Sequence, residues 1–113
     1  CAHGAGLAVV MPAVFTYNLQ HDVNRFAQVA TRVWGCQMDF SNPERTALEG
    51  IEALRRFLTS LGMPRNFAEL GANPEDIEKL AHTACYGDVN DGSLGGFVKL
   101  NQKDVENIYR LMV

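Results

Sequence analysis

The chain has 113 residues, enough for one domain with a buried core. Hydrophobic residues make up 47% and charged residues 20%, a globular composition that argues against disorder. The net charge is −3 and the ten Lys and Arg are scattered, Arg55-Arg56 being their longest run, which argues against a nucleic-acid surface.

Cysteine usage and the first residues narrow the setting. Cys1, Cys36 and Cys85 are odd in number and widely spaced, with no C-x-x-C pair, so they form no disulfide framework and point to a reducing, cytoplasmic compartment. The apolar run over residues 7–15 is too short for a membrane span, which takes about 20 residues, and no basic stretch precedes it as in a signal peptide. The chain opens Cys1-Ala2-His3-Gly4 without Met. A mature lipoprotein also begins at Cys, but a flexible tether then follows. Here a buried-type segment follows at once, so the start reads as the truncation of a longer protein.

In chain order, residues 4–18 are predicted to form a helix that is apolar nearly all round, the pattern of a helix covered on every side, with a kink at Pro12. Residues 22–34 form a second helix, with Phe26, Val29, Ala30, Val33 and Trp34 inward and Gly35 as the stop. Residues 36–41 connect. Ser41 or Asn42 caps a third helix that begins at Pro43 and ends before Gly62; its apolar face is Ala47, Leu48, Ile51, Leu54, Phe57, Leu58 and Leu61. Residues 67–70 read as one helical turn. Asn73-Pro74-Glu75-Asp76 repeats the pattern of cap, proline and acid, and starts a helix reaching about Tyr86 that buries Ile77, Leu80, Ala81 and Ala84. Residues 87–96 are a polar, Gly-rich loop, and Val98 and Leu100 are briefly extended. Asn101 caps the last helix, with Asp104 at the capping-box position and Val105, Ile108, Tyr109 and Met112 inward. No segment alternates convincingly with period two, so the fold class is all-α, a bundle of five or six helices.

Few residues carry chemistry. Gly4-Ala5-Gly6 and Gly92-Ser93-Leu94-Gly95-Gly96 lack the strand-before, helix-after context of a phosphate loop. No Ser or Cys has the local signature of a nucleophile, and no catalytic residue is assigned. His82 and Cys85 stand at a spacing that can bind metal, but no second pair completes a site, so a structural role is expected. His21 lies in a polar turn and reads as a solvated residue. His3 is different: Gly4-Ala5-Gly6 removes side-chain bulk beside it and allows close approach by a backbone, cofactor or substrate.

The segment His3-Gly4-Ala5-Gly6-Leu7-Ala8-Val9-Val10-Met11-Pro12-Ala13 resembles the H-G-x-x-x-A-hydrophobic-hydrophobic-x-P segment of the iron-containing (group III) alcohol dehydrogenases. The likeness continues through Tyr17-Asn18, Arg25-Phe26-Ala27-Gln28-Val29-Ala30, Gly50-Ile51-Glu52-Ala53-Leu54 and Leu61-Gly62-Met63-Pro64. Leu70-Gly71, Asp76-Ile77, Asp104-Val105 and Ile108-Tyr109 extend it to the end. Arg32-Val33-Trp34-Gly35 and Asn42-Pro43-Glu44-Arg45-Thr46-Ala47 look most like the butanol-dehydrogenase-like branch.

The resemblance implies that residues 1–113 are the C-terminal part of the helical, metal-binding domain of a dehydroquinate-synthase-like, iron-containing alcohol dehydrogenase fold, with the N-terminal dinucleotide-binding domain upstream. It implies an NAD(P)-dependent interconversion of alcohols and aldehydes with Fe²⁺ or Zn²⁺ held by one Asp and three His. The last of those His matches His3. The other ligands and the dinucleotide site lie upstream, so no cofactor-binding residue is carried over. An isolated fragment is expected to be inactive; the intact enzyme is expected to be a cytoplasmic homodimer without nucleic-acid or membrane partners. Where relatives often read G-N-P-R before the last helix, this chain has Leu94-Gly95-Gly96-Phe97-Val98-Lys99, which leaves any role of the loop over 87–99 open. Two other readings stand: a helical interaction module without catalysis, and a polyol, glycerol or glycerol-phosphate dehydrogenase of the same superfamily, since one architecture hosts several reactions.

Overall fold

A computed structural model describes residues 3–86, 93–94 and 98–113, with the backbone alone at 93–94. Six α-helices lie among them: α1 (His3–Asn18), α2 (Val23–Arg32), α3 (Pro43–Ser60), α4 (Phe67–Leu70), α5 (Ile77–Tyr86) and α6 (Gln102–Arg110). Two short 3-10 turns, Leu19–His21 and Pro74–Asp76, lead into α2 and α5. Ser93–Leu94 (β1) pairs antiparallel with Leu100–Asn101 (β2), Ser93 opposite Asn101 and Leu94 opposite Leu100. The fold is therefore the all-α bundle that the helical periodicities imply. The expectations at Cys1, and at 87–92 and 95–97 of the loop, fall outside the described residues; within that loop, 93–94 is a strand rather than a turn.

Helix α1 is the axis of the domain. Its apolar positions are spread round the helix, and α3, α4 and α6 pack against it. Val9 and Ala13 lie in the main core with Phe67, Ala81, Val105 and Ile108. The helix runs through Pro12 without interruption, and the Thr16 hydroxyl donates to the Pro12 carbonyl at 2.7 Å. Cover is not complete, contrary to the sequence expectation. Leu7 and Met11, one turn apart on the same stripe, remain 40% and 37% exposed because the packed helices occupy the other faces.

The inward faces of α2 and α3 match the expected ones in part: Ala30, Ala47 and Ile51 are buried, and Phe26, Trp34, Leu54 and Leu58 are half-buried. Ala27 and Ala30 are buried on α2, whereas Val29 and Val33 are exposed. On α3 the buried set is Thr46, Ala47, Gly50 and Ile51, and Leu48, Phe57 and Leu61 are exposed. The cause is close packing on small side chains. A Cβ built on Gly50 would stand 2.4 Å from Ala30 Cβ and 2.8 Å from Ala30 Cα, so the two backbones nearly touch. This contact turns the larger apolar residues to the flanks, where Trp34 and Phe57 meet at 5.7 Å and Phe15 and Phe26 at 5.6 Å between ring centroids.

The helix starts and stops follow local chemistry. The Asp22 side chain caps α2 by accepting from Arg25 N–H. Asn42 holds the cap position of α3 but makes no side-chain cap bond; Asp39 organises that start instead. Its carboxylate accepts from the Ser41 hydroxyl at 2.6 Å and from the Ser41 and Asn42 backbone N–H groups. The Asn66 side chain caps α4, and Gly71 ends it with a positive φ of 84°. On α5 the buried residues are Ile77, Ala81 and Cys85, while Leu80, expected inside, is exposed. The capping box of Asn101 and Asp104 on α6 is present as expected, and Val105, Ile108 and Met112 are buried, with Tyr109 half-buried.

The α2–α3 contact gives an expected sign. An unobstructed Gly→Ala change inside a helix would stabilise by about 1 kcal/mol. At Gly50 the added methyl meets backbone, and overpacking of that kind costs about 1–3 kcal/mol. Gly50→Ala is therefore expected to lower the urea midpoint at unchanged m-value; a raised midpoint would show that the helices are not in this contact.

Candidate functional site

His3 is the first residue of α1 and is exposed. Gly4 beside it is exposed too, and a Cβ added there would meet nothing within 4 Å. One turn further the helix enters the core, with Ala8 and Val9 buried. The imidazole thus stands at the open lip of a helix that the core otherwise fixes.

The other candidates do not converge on it. His21 is exposed at the end of the 3-10 turn after α1, at the opposite end of that helix from His3. His82 is exposed and stacks on Tyr86, with ring centroids 4.9 Å apart. Cys85 is fully buried, and burial pushes its thiol above the ordinary range. His82 is exposed while Cys85, three residues on, is buried. Among the described residues, no group of three His, Cys, Asp or Glu could hold a metal ion. His3 is an exposed imidazole beside an open Gly4, a donor type that suits a divalent cation.

One polar contact that the sequence did not reveal sets α1 in place. The Tyr17 hydroxyl donates to Asp104 Oδ1 at 2.6 Å across 87 residues of sequence. Asp104 also accepts from Asn101 N–H at 3.0 Å through Oδ2, so one carboxylate closes the α6 cap and pins the far end of α1. The Tyr17 hydroxyl, then the Asn101 N–H, hold Asp104 below the usual carboxylate range, and the positive field of His21 adds to this. The same bond pushes Tyr17 above the range of a free phenol. Each residue carries a local signal, Asp104 as a cap and Tyr17 in the Tyr17-Asn18 pair, but no local pattern joins them.

Over residues 1–113 the chain matches the Fe-containing alcohol dehydrogenase family, C-terminal. It belongs to that family. The probable NADH-dependent butanol dehydrogenase 1 of Bacillus subtilis (strain 168) is 34% identical over 108 residues, covering 96% of this chain and 27% of the relative. NADH-dependent butanol dehydrogenase A of Clostridium acetobutylicum is 31% identical over 109 residues, again 96% of this chain and 27% of the relative. The crystal structure of NADH-dependent butanol dehydrogenase A from Thermotoga maritima superposes with a TM-score of 0.85 at 30% identity, covering all of this chain and 29% of that one. The chain spans about a quarter of the length of the curated relatives it matches. These relatives bear out the likeness to the butanol-dehydrogenase branch.

The Tyr17–Asp104 bond has a pH signature. A carboxyl with a depressed folded-state pKa stabilises above about pH 4, and that stability is lost as pH falls through the folded value. A phenol with a raised pKa stabilises below about pH 10, and its contribution is lost as pH rises through the higher folded value. Tyr17→Phe is expected to lower stability at pH 7 by about 1 kcal/mol and by less at a pH below the depressed folded-state value of Asp104. Thermal melts of both proteins at the two pH values check this; an equal loss at both would show that the carboxylate charge plays no part.

Proposed function

We propose that the chain is the C-terminal metal-site portion of an NAD(P)-linked alcohol dehydrogenase that interconverts primary alcohols and aldehydes. Family membership over all 113 residues supports the enzyme class. The observation that carries the residue assignment is the position of His3: exposed, first on α1, beside an open Gly4, in the segment that resembles the family's metal-binding segment. In this reading His3 is one of the ligands of a divalent cation, Fe²⁺ or Zn²⁺, and the remaining ligands and the dinucleotide site belong to an N-terminal domain. The reading includes a homodimeric, cytoplasmic enzyme. Among the described residues, no helix is long and apolar enough to cross a membrane.

The chemistry that such groups supply is Lewis acidity toward the alcohol oxygen and reversible hydride acceptance. This chain contributes a neutral donor and its placement. A neutral imidazole ligates without cancelling the cation's charge. Burial of Val9 and Ala13 fixes the helix behind His3, and the Tyr17–Asp104 bond fixes its far end. Little adjustment is left for the helix when substrate arrives, which is how a site preserves its geometry.

In the intact enzyme, His3→Ala is expected to reduce bound metal and to lower alcohol oxidation by more than about a hundredfold, beyond the effect of losing an outer-shell partner. Elemental analysis and steady-state kinetics check it; unchanged metal content together with unchanged turnover would refute the assignment. The 113-residue chain alone is expected to show no NAD(P)-dependent alcohol oxidation and only weak metal binding. Dehydrogenase activity in pure fragment would overturn the reading of an incomplete site.

A further inference from the structure

Among the described residues, Phe40 is the most exposed large hydrophobic, at 89%. The core makes no use of its ring, yet the backbone that carries it is firmly held. The Asp39 carboxylate accepts from the Ser41 hydroxyl and from the Ser41 and Asn42 N–H groups. The Asp39 N–H donates at 2.9 Å to the hydroxyl of Thr46, which is buried on α3. The residues on both sides of Phe40 are therefore fixed before anything binds. An aromatic side chain presented in this way meets a partner with little ordering left to do, which is what an interface anchor requires.

Beside Phe40 lies a hollow of about 410 Å³. A cavity of about 150 Å³ already admits a benzene ring. Phe40 forms part of the wall, with Met38 and Thr46, and the exposed Arg45 and Glu49 of α3 complete it. A thioether and a guanidinium are both favourable neighbours for an aromatic ring. A knob and a hollow suited to such a knob thus belong to one patch. Its two α3 charges are opposite in sign and one helical turn apart, with Arg45 Nε 3.6 Å from Glu49 Oε1. Both side chains are exposed, so the pair holds little energy within the chain, and both charges can act across a contact.

A patch with a knob, a hollow and both signs of charge is complementary to its own image under a two-fold axis. A partner of a single sign would leave one of the two charges opposed by its like. We propose that this corner of α3 is an interface between two copies of the chain. Each Phe40 enters the other copy's hollow, against Met38 and Arg45, and each Arg45 faces the other copy's Glu49. This goes beyond the homodimer of the proposed function by naming a face and its contacts, and it needs neither His3 nor a metal.

Sedimentation velocity of the full-length protein tests the interface. The unaltered protein is expected to form a species of twice the mass of Phe40→Asp, in which the dissociation constant rises at least about thirtyfold, as on loss of an anchor. Arg45→Glu alone and Glu49→Arg alone each set like charges across the axis, and each is expected to raise the dissociation constant at least about tenfold. An equimolar mixture of those two variants is expected to regain the larger species, because each then meets its opposite charge in the other copy. Mixing cannot restore the pair within one chain, so recovery reports a contact between copies. All three positions are exposed, and circular dichroism confirms that each variant is folded. Equal mass for Phe40→Asp and the unaltered protein overturns the proposal. Dissociation of both charge variants without recovery on mixing overturns the two-fold pairing. Bound metal is expected to be unchanged in all three variants, so failure of this interface and failure of the His3 assignment are distinguishable.

Discussion

The domain is arranged around a helix that has no polar face. Each residue of α1 that goes uncovered leaves apolar surface in water, at a loss of about 25 cal/mol for each Å². The other helices answer that constraint from three sides. α3, α4 and α6 pack on α1, and the core that joins Val9 and Ala13 to Phe67, Ala81, Val105 and Ile108 is the product. The 3-10 turn after Asn18 leads into α2, which docks on α3. Leu7 and Met11 mark where this chain alone leaves the constraint unanswered.

Much of this was legible in the sequence. The helices were readable from period and punctuation: Pro43 at the start of α3, Asn101 with Asp104 at the start of α6, and Gly35, Gly62 and Gly71 after the stops, all three with positive φ. The inward faces of α2 and α3 were legible only in part: Ala30, Ala47 and Ile51 are buried as expected, whereas Val29, Val33, Leu48, Phe57 and Leu61 are exposed. Periodicity assigns the largest apolar residues inward, yet the two helices meet through Ala30 and Gly50, and that choice depends on a neighbour 20 residues away. Where a helix pair packs on its smallest side chains, hydrophobicity draws flanking residues into the expected stripe. Leu80 fails for a related reason, since the core beside α5 takes Ile77, Ala81 and Cys85.

The candidate site divides in the same way. His3 stands out in the sequence through the small residues beside it and the family segment it opens, and the structure places it at an accessible helix start. Tyr17 and Asp104 are visible singly but not as a pair, because their contact forms only once α1 and α6 have packed. That bond lies at the far end of the helix that carries His3. The proposed ligand His3 at one end, a hydrogen-bonded anchor at the other and a core between them make α1 a strut rather than a loop-borne arm.

The central claim is that His3 is a metal ligand in an alcohol dehydrogenase of which this chain is the C-terminal part. Anomalous diffraction at the metal edge, from crystals of the full-length protein, tests it most directly. The expected result is a single peak about 2.0–2.2 Å from a ring nitrogen of His3, the range of imidazole ligation to such ions. A peak bound by other residues, with His3 out of reach, would contradict the account.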